Sequence, residues 1–114
     1  MPYLSITTNA VLTPAAEAAL AAEVSKCVAK ELSKPEAYVM VAVQPLKTMS
    51  FGGSGSPAAF LDLRSIGLPQ SLNPVSSALT ALVEKHTSVA PDRVFIAFTD
   101  ASAARWAQGG STLA

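Results

Sequence analysis

Pro2 directly follows Met1, and a small second residue lets an initiator methionine be cleaved. The mature chain would then begin with a free prolyl secondary amine, able to accept a proton or attack a carbonyl. Such a base must be neutral near neutral pH, so it needs surroundings that disfavour its charged form. Other candidate groups offer less. Cys27 is the only cysteine and His86 the only histidine, which rules out an internal disulfide and a zinc ligand set and calls for no metal or cofactor. Cys27 falls on the apolar side of a helical pattern and reads as a buried, inert thiol. His86 lies near the end of a helical segment, where it reads as a capping or solvated group. Lys34, taken alone, reads as a solvated lysine favoured by the dipole at a helix C-terminus. The glycine-rich linker 49–56 has no Gly-Lys-Ser/Thr ending and opens onto no helix, so it reads as a flexible link rather than a phosphate loop.

The elements that would position these residues form one unit used twice, spanning about residues 2–48 and 57–100. Thr13-Pro14 and Asn73-Pro74 each place a capping residue before a proline suited to the first helical position. Leu20, Val24, Cys27, Val28 and Leu32 make one apolar stripe at helical spacing, and Val75, Leu79, Leu82 and Val83 make another. Pro35 and Pro91 stop the helices, and β-branched runs follow. Pro14 to Pro35 is 21 residues and Pro74 to Pro91 is 17, so the second helix should be shorter by about one turn. Residues 3–8 and 58–66 supply the leading strands. The result is a single α/β domain over residues 1–114: a duplicated βαβ unit, with a four-stranded mixed sheet and both helices on one face. The tail, residues 101–114, is expected to add a short edge ribbon around Trp106.

Half of the 114 residues are hydrophobic and only 14% are charged, against about 25% in a typical soluble domain. Apolar surface is therefore expected to be buried between subunits. Eight basic residues balance eight acidic ones, so no general field attracts nucleic acid or an anionic membrane. The apolar runs are far shorter than the ~20 residues of a membrane span, and the first ten residues lack a basic, signal-like start. A cytoplasmic location, or release without a signal peptide, is expected.

Met1-Pro2, Ser33-Lys34-Pro35-Glu36-Ala37-Tyr38-Val39-Met40, Met49-Ser50-Phe51-Gly52-Gly53-Ser54, Ser65-Ile66-Gly67, Pro91-Asp92-Arg93-Val94 and Ser111-Thr112 occur in one order along the chain. In this the chain resembles the macrophage migration inhibitory factor family of the tautomerase superfamily. Val39-Met40 and Pro57-Ala58-Ala59-Phe60 look closer to its plant, algal and microbial members. The resemblance implies a homotrimer with sites at subunit interfaces. It also implies keto–enol tautomerase activity toward phenylpyruvate-like or dopachrome-like carboxylates. Pro2 matches the catalytic base, Lys34 the lysine that binds the substrate carboxylate, and Ile66, beside Ser65, the residue whose backbone N–H helps hold it. Tyr38 matches an aromatic at the pocket rim. Lys34 would then both attract the carboxylate and keep Pro2 unprotonated.

Departures from the family pattern bear on substrate choice. Phe95 and Ala97 stand where vertebrate members have tyrosine and asparagine, so the pocket keeps an aromatic wall but loses a hydroxyl and an amide. Ala58 and Leu61 replace the vertebrate cysteine pair, which removes any thiol chemistry resting on it. Trp106 falls at an aliphatic pocket position and would narrow the pocket or reroute the tail. The alternative function is a signalling trimer that binds a protein receptor and has weak or no activity; a purely structural βαβ oligomer is a third reading.

Overall fold

A computed structural model describes all residues from Met1 to Ala114. The order is β1 (Tyr3–Thr8), α1 (Pro14–Glu31), β2 (Met40–Pro45), β3 (Ala59–Ile66), α2 (Asn73–Thr87), β4 (Val94–Ala101), β5 (Ala107–Gln108) and β6 (Ser111–Thr112). Burial alternates along β1 and β3: Leu4, Ile6 and Thr8, and Leu61, Leu63 and Ser65, are buried while their neighbours are not. This period of two turns one sheet face to the core. Leu20, Val24 and Val28 of α1 and Val75, Leu79 and Val83 of α2 are buried in the same cluster, so both helices cover that face.

The sheet order is β2-β1-β3-β4, with β1 parallel to β2, β3 parallel to β4, and β1 antiparallel to β3. Two βαβ units thus meet along β1 and β3, as the repeated sequence unit predicts. The other face carries mixed rows across the strands, such as Met40, Tyr3, Arg64 and Thr99, or Ala42, Ser5, Asp62 and Ala97.

The helix ends show how local chemistry sets the boundaries. Thr13 caps α1 by accepting the Ala16 N–H at 3.1 Å, with Pro14 at the first helical position. The second start departs from expectation: Leu72, not Asn73, is the boundary residue, and it makes no side-chain cap. Its backbone is already helical, and its carbonyl accepts both the Ser76 N–H at 3.0 Å and the Ser76 hydroxyl at 2.6 Å. The helices run 18 and 15 residues, so the second is shorter by three rather than four. Leu82 and Cys27 are only partly buried at the edges of their stripes. Burial, the largest effect, pushes the Cys27 thiol up, with Glu31 adding to it.

Three further segments differ from the sequence reading. Tyr38 ends a 3₁₀ turn (Glu36–Tyr38) and lies outside the strand, its N–H bonded to Pro35 O at 3.0 Å. The linker is a bonded turn instead of a loose link. Phe51 and Ser54 exchange backbone hydrogen bonds, and the Arg93 guanidinium donates to the carbonyls of Phe51, Ser54, Ser56 and Pro57 at 3.0 to 3.2 Å. The planar five-donor fork of arginine suits such a set of acceptors. The tail forms its own hairpin: β5 and β6 pair with each other, and Gly109 and Gly110, both at positive φ, supply the turn. His86 is neither a cap nor solvated. Its Nε2 lies 2.7 Å from Glu23 Oε2, and Lys85 Nζ bonds the same carboxylate at 2.9 Å, tying α2 to α1.

Candidate active site

Pro2 is buried at the entry to β1, where its carbonyl accepts the Met40 N–H at 3.0 Å. Lys34 reaches this point because α1 ends in a Schellman turn. Lys34 N–H bonds Ala29 O at 2.9 Å, Ser33 N–H bonds Lys30 O at 3.2 Å, and Ser33 takes the left-handed conformation at φ 53°. The lysine side chain then lies over the end of β3, where Nζ donates to Ile66 O at 3.0 Å. Gly67 follows at φ 82°, and its N–H is held by Asp100 Oδ1 at 3.0 Å. A Cβ at Gly67 would sit 3.8 Å from Lys34 Nζ, so the backbone approaches this ammonium closely.

The electrostatics suit a neutral amine. The chain's terminal amine, on Met1, is held below its ordinary 8.0, first by burial and then by the Lys34 charge. It lies one residue ahead of the prolyl nitrogen.

A cavity of about 460 Å³ opens beside Pro2. It is lined by Met1, Tyr3, Tyr38 and Met40, by Arg64, Thr99 and Ala101 of the sheet, and by Arg105, Trp106 and Ala107 of the tail. Thus Pro2, Tyr38 and Trp106 share one cavity, and Lys34, Ser65 and Ile66 gather at its Pro2 end without lining it. Phe95 and Ala97 are not brought in. They lie on β4 toward its start, and Phe95, four residues before Thr99, is about 13 Å away along the strand. Phe95 instead packs edge-on against Phe51, with ring centroids 4.7 Å apart.

Sequence reasoning missed Arg64 and Arg105. Arg64 shares a row with Tyr3 and Met40, a register that strand alternation alone hints at, and it is paired with Asp62 at 3.0 Å. Arg105 sits in a 3₁₀ turn (Ala103–Arg105) of the tail and belongs to none of the ion pairs. No group of three or more His, Cys, Asp or Glu side chains converges anywhere, so no cluster could hold a metal ion.

A duplicated βαβ unit whose first strand opens on a proline beside a lysine ammonium is an arrangement of the tautomerase superfamily. Within it, this chain belongs to the macrophage migration inhibitory factor family, whose model, described as macrophage migration inhibitory factor (MIF), matches residues 1–114. A macrophage migration inhibitory factor homolog of Brugia malayi is 37% identical over 114 residues, covering 98% of each chain. The solved macrophage migration inhibitory factor of Toxoplasma gondii superposes with a TM-score of 0.91 at 38% identity, over 96% of this chain and 98% of that one. The macrophage migration inhibitory factor-like protein of Entamoeba histolytica gives 0.93 at 26% identity, over 97% of each.

Proposed function

We propose that the chain is a keto–enol tautomerase acting on aromatic α-keto carboxylates such as phenylpyruvate or dopachrome-like compounds, with the amine of Pro2 as general base. The observation that carries this is the buried Pro2 at the cavity, in surroundings where burial and Lys34 disfavour a charged amine. Removal of Met1 exposes that amine. Its lone pair takes the proton from the carbon next to the substrate carbonyl. The C–H electrons become the enol double bond, the carbonyl π electrons move to oxygen, which takes a proton from water, and the prolinium gives its proton back to water or, in the reverse direction, to carbon. Lys34 and the Ile66 backbone N–H hold the carboxylate, and Tyr38 and Trp106 flank the aromatic ring.

The site is completed in a homotrimer, where Phe95 and Ala97 of a neighbouring subunit form the far wall. Two features support this. Both residues are exposed and outside the cavity in their own chain, and the sequence has too little charge to cover a monomer. With alanine in place of an amide, one hydrogen bond to a hydroxylated substrate is lost, worth about 0.5 to 1.5 kcal/mol, so phenylpyruvate should be preferred over hydroxylated analogues. No helix is long and apolar enough to cross a membrane; the protein is proposed to act in the cytoplasm, with any release independent of a signal peptide.

The test is turnover of phenylpyruvate by protein whose intact mass shows loss of Met1. Activity that falls at least a hundredfold in Pro2→Gly is expected, in line with loss of a general base. A processed chain without turnover would reject the enzyme and leave the receptor-binding trimer as the reading.

A further inference from the structure

Two guanidinium groups line the cavity beside Pro2, Arg64 from β3 and Arg105 from the tail, and no carboxylate lines it with them. The whole chain is neutral, with eight basic residues against eight acidic, so this excess belongs to the cavity and not to the molecule. The Lys34 ammonium adds a third positive charge at the Pro2 end. Like charges gathered at one concavity repel one another, and they draw anions into it.

Neither guanidinium is used up within the chain. Asp62, which does not line the cavity, accepts from Arg64 Nε at 3.3 Å and from Nη2 at 3.0 Å, which orients the group and leaves Nη1 without a partner. Arg105, in the turn just before Trp106, has no side-chain partner at all. A planar fork with free N–H groups suits a carboxylate, both of whose oxygens it can meet at once. The strand sets how far this charge lies from the reacting end. Arg64 and Ile66 are two residues apart on β3, so they share the sheet face turned away from the helices and stand about 6.5 Å apart along the strand. An arylpyruvate with its carboxylate at Lys34 and Ile66 is long enough to bring the far edge of its ring to Arg64.

We infer that Arg64 and Arg105 form a second anion subsite, and that the substrate is a dianion: an aromatic 2-keto acid carrying a further carboxylate on the far side of its ring. The orientation of that substrate rests on the tautomerase reading above; the affinity of the cavity for a second negative charge does not. Arg64 and Arg105 are then specificity-determining residues, which reward the charge that phenylpyruvate lacks.

The test uses protein with verified loss of Met1 and two probe pairs matched in shape. For turnover, 4-carboxyphenylpyruvate is set against 4-carbamoylphenylpyruvate; for binding alone, 4-carboxyphenylacetate is set against its 4-carbamoyl analogue by calorimetry. The amide keeps the shape and removes the charge, so kcat/KM and affinity should each favour the carboxylate by about tenfold or more at low salt. That preference should shrink at high salt, because both guanidiniums are exposed. Arg64→Gln and Arg105→Gln should each lower the ratio by about threefold or more, and the double variant should bring it close to unity. Each ratio is taken within one protein, so a variant of lower overall activity still reports on charge. A wild type without preference for the carboxylate, or a preference that survives in the double variant, overturns the inference. Preferential binding without turnover of any keto acid would reject the tautomerase and leave the subsite standing; turnover of phenylpyruvate without the preference would do the reverse.

Discussion

Lys34 links the two groups at this end of the site: its ammonium donates to Ile66 O and, after burial, is the second cause that holds the terminal amine below its ordinary 8.0. Removing it takes away a like charge, so in Lys34→Ala the amine of Pro2 should protonate at higher pH and the acidic limb of kcat/KM should move upward. The same change should raise KM for phenylpyruvate at least tenfold, while a substrate lacking the carboxylate should be affected far less. The sign also holds for stability. An amine held below its ordinary 8.0 by the fold takes up protons less readily than the unfolded chain does, so its contribution rises with pH up to about 8 and falls away below it. At this scale the sequence was informative through types: a second-position proline and a lysine after a helix are visible in a string of letters. Arg64 and Arg105 were not, because their relevance comes from strand register and from a tail turn that no local pattern encodes.

Among the elements, the C-terminus of α1 and the turn held by Arg93 are the two that local chemistry makes testable. Ser33 takes a left-handed conformation in which an L-residue costs about 1 to 2 kcal/mol, whereas glycine is free of that penalty but gives back about 0.4 to 1 kcal/mol in unfolded-chain entropy. Ser33→Gly should therefore stabilise the protein by about 0.5 to 1 kcal/mol in urea unfolding, with Lys34 kept in place. Arg93→Lys retains the charge but cannot bond four carbonyls, so it should cost about 1 to 3 kcal/mol and open residues 51–57 to proteolysis. The tie between the helices has a pH signature. His86 and then Lys85 hold the Glu23 carboxyl below its ordinary 4.5; the support this gives is present above that value and is lost as pH falls through the folded one. Glu23→Gln should remove that part of the acid-unfolding curve. The helices and strands were legible because apolar periods of 3.6 and 2 are sequence properties. The bonded linker and the Glu23 pairing were not, since each depends on a partner distant in sequence, Arg93 and His86 with Lys85; the Leu72 boundary was missed because Asn73-Pro74 looks like a cap while the chain is already helical one residue earlier.

For the whole molecule, the proposed trimer predicts a mass in solution three times that of the chain, and turnover per subunit that falls on dilution in step with dissociation. A stable monomer with full activity would contradict a wall built from Phe95 and Ala97 of a neighbour. The pairing of the two βαβ units has its own consequence. Because β1 and β3 run antiparallel, the sheet has two equivalent ends, one entered by Pro2 and the other by Pro57 and Ala58. Tyr38 and Arg93 close matching 3₁₀ turns at those ends, after Pro35 and at Pro91. The first end stays open as a cavity, whereas the second is filled by the linker that joins the units, gripped by Arg93. A proline inside the chain can never offer a free amine, so joining the two halves silences one end both chemically and sterically. Under the proposed mechanism each chain would keep one reactive mouth, at Pro2, while the matching end serves as structural support.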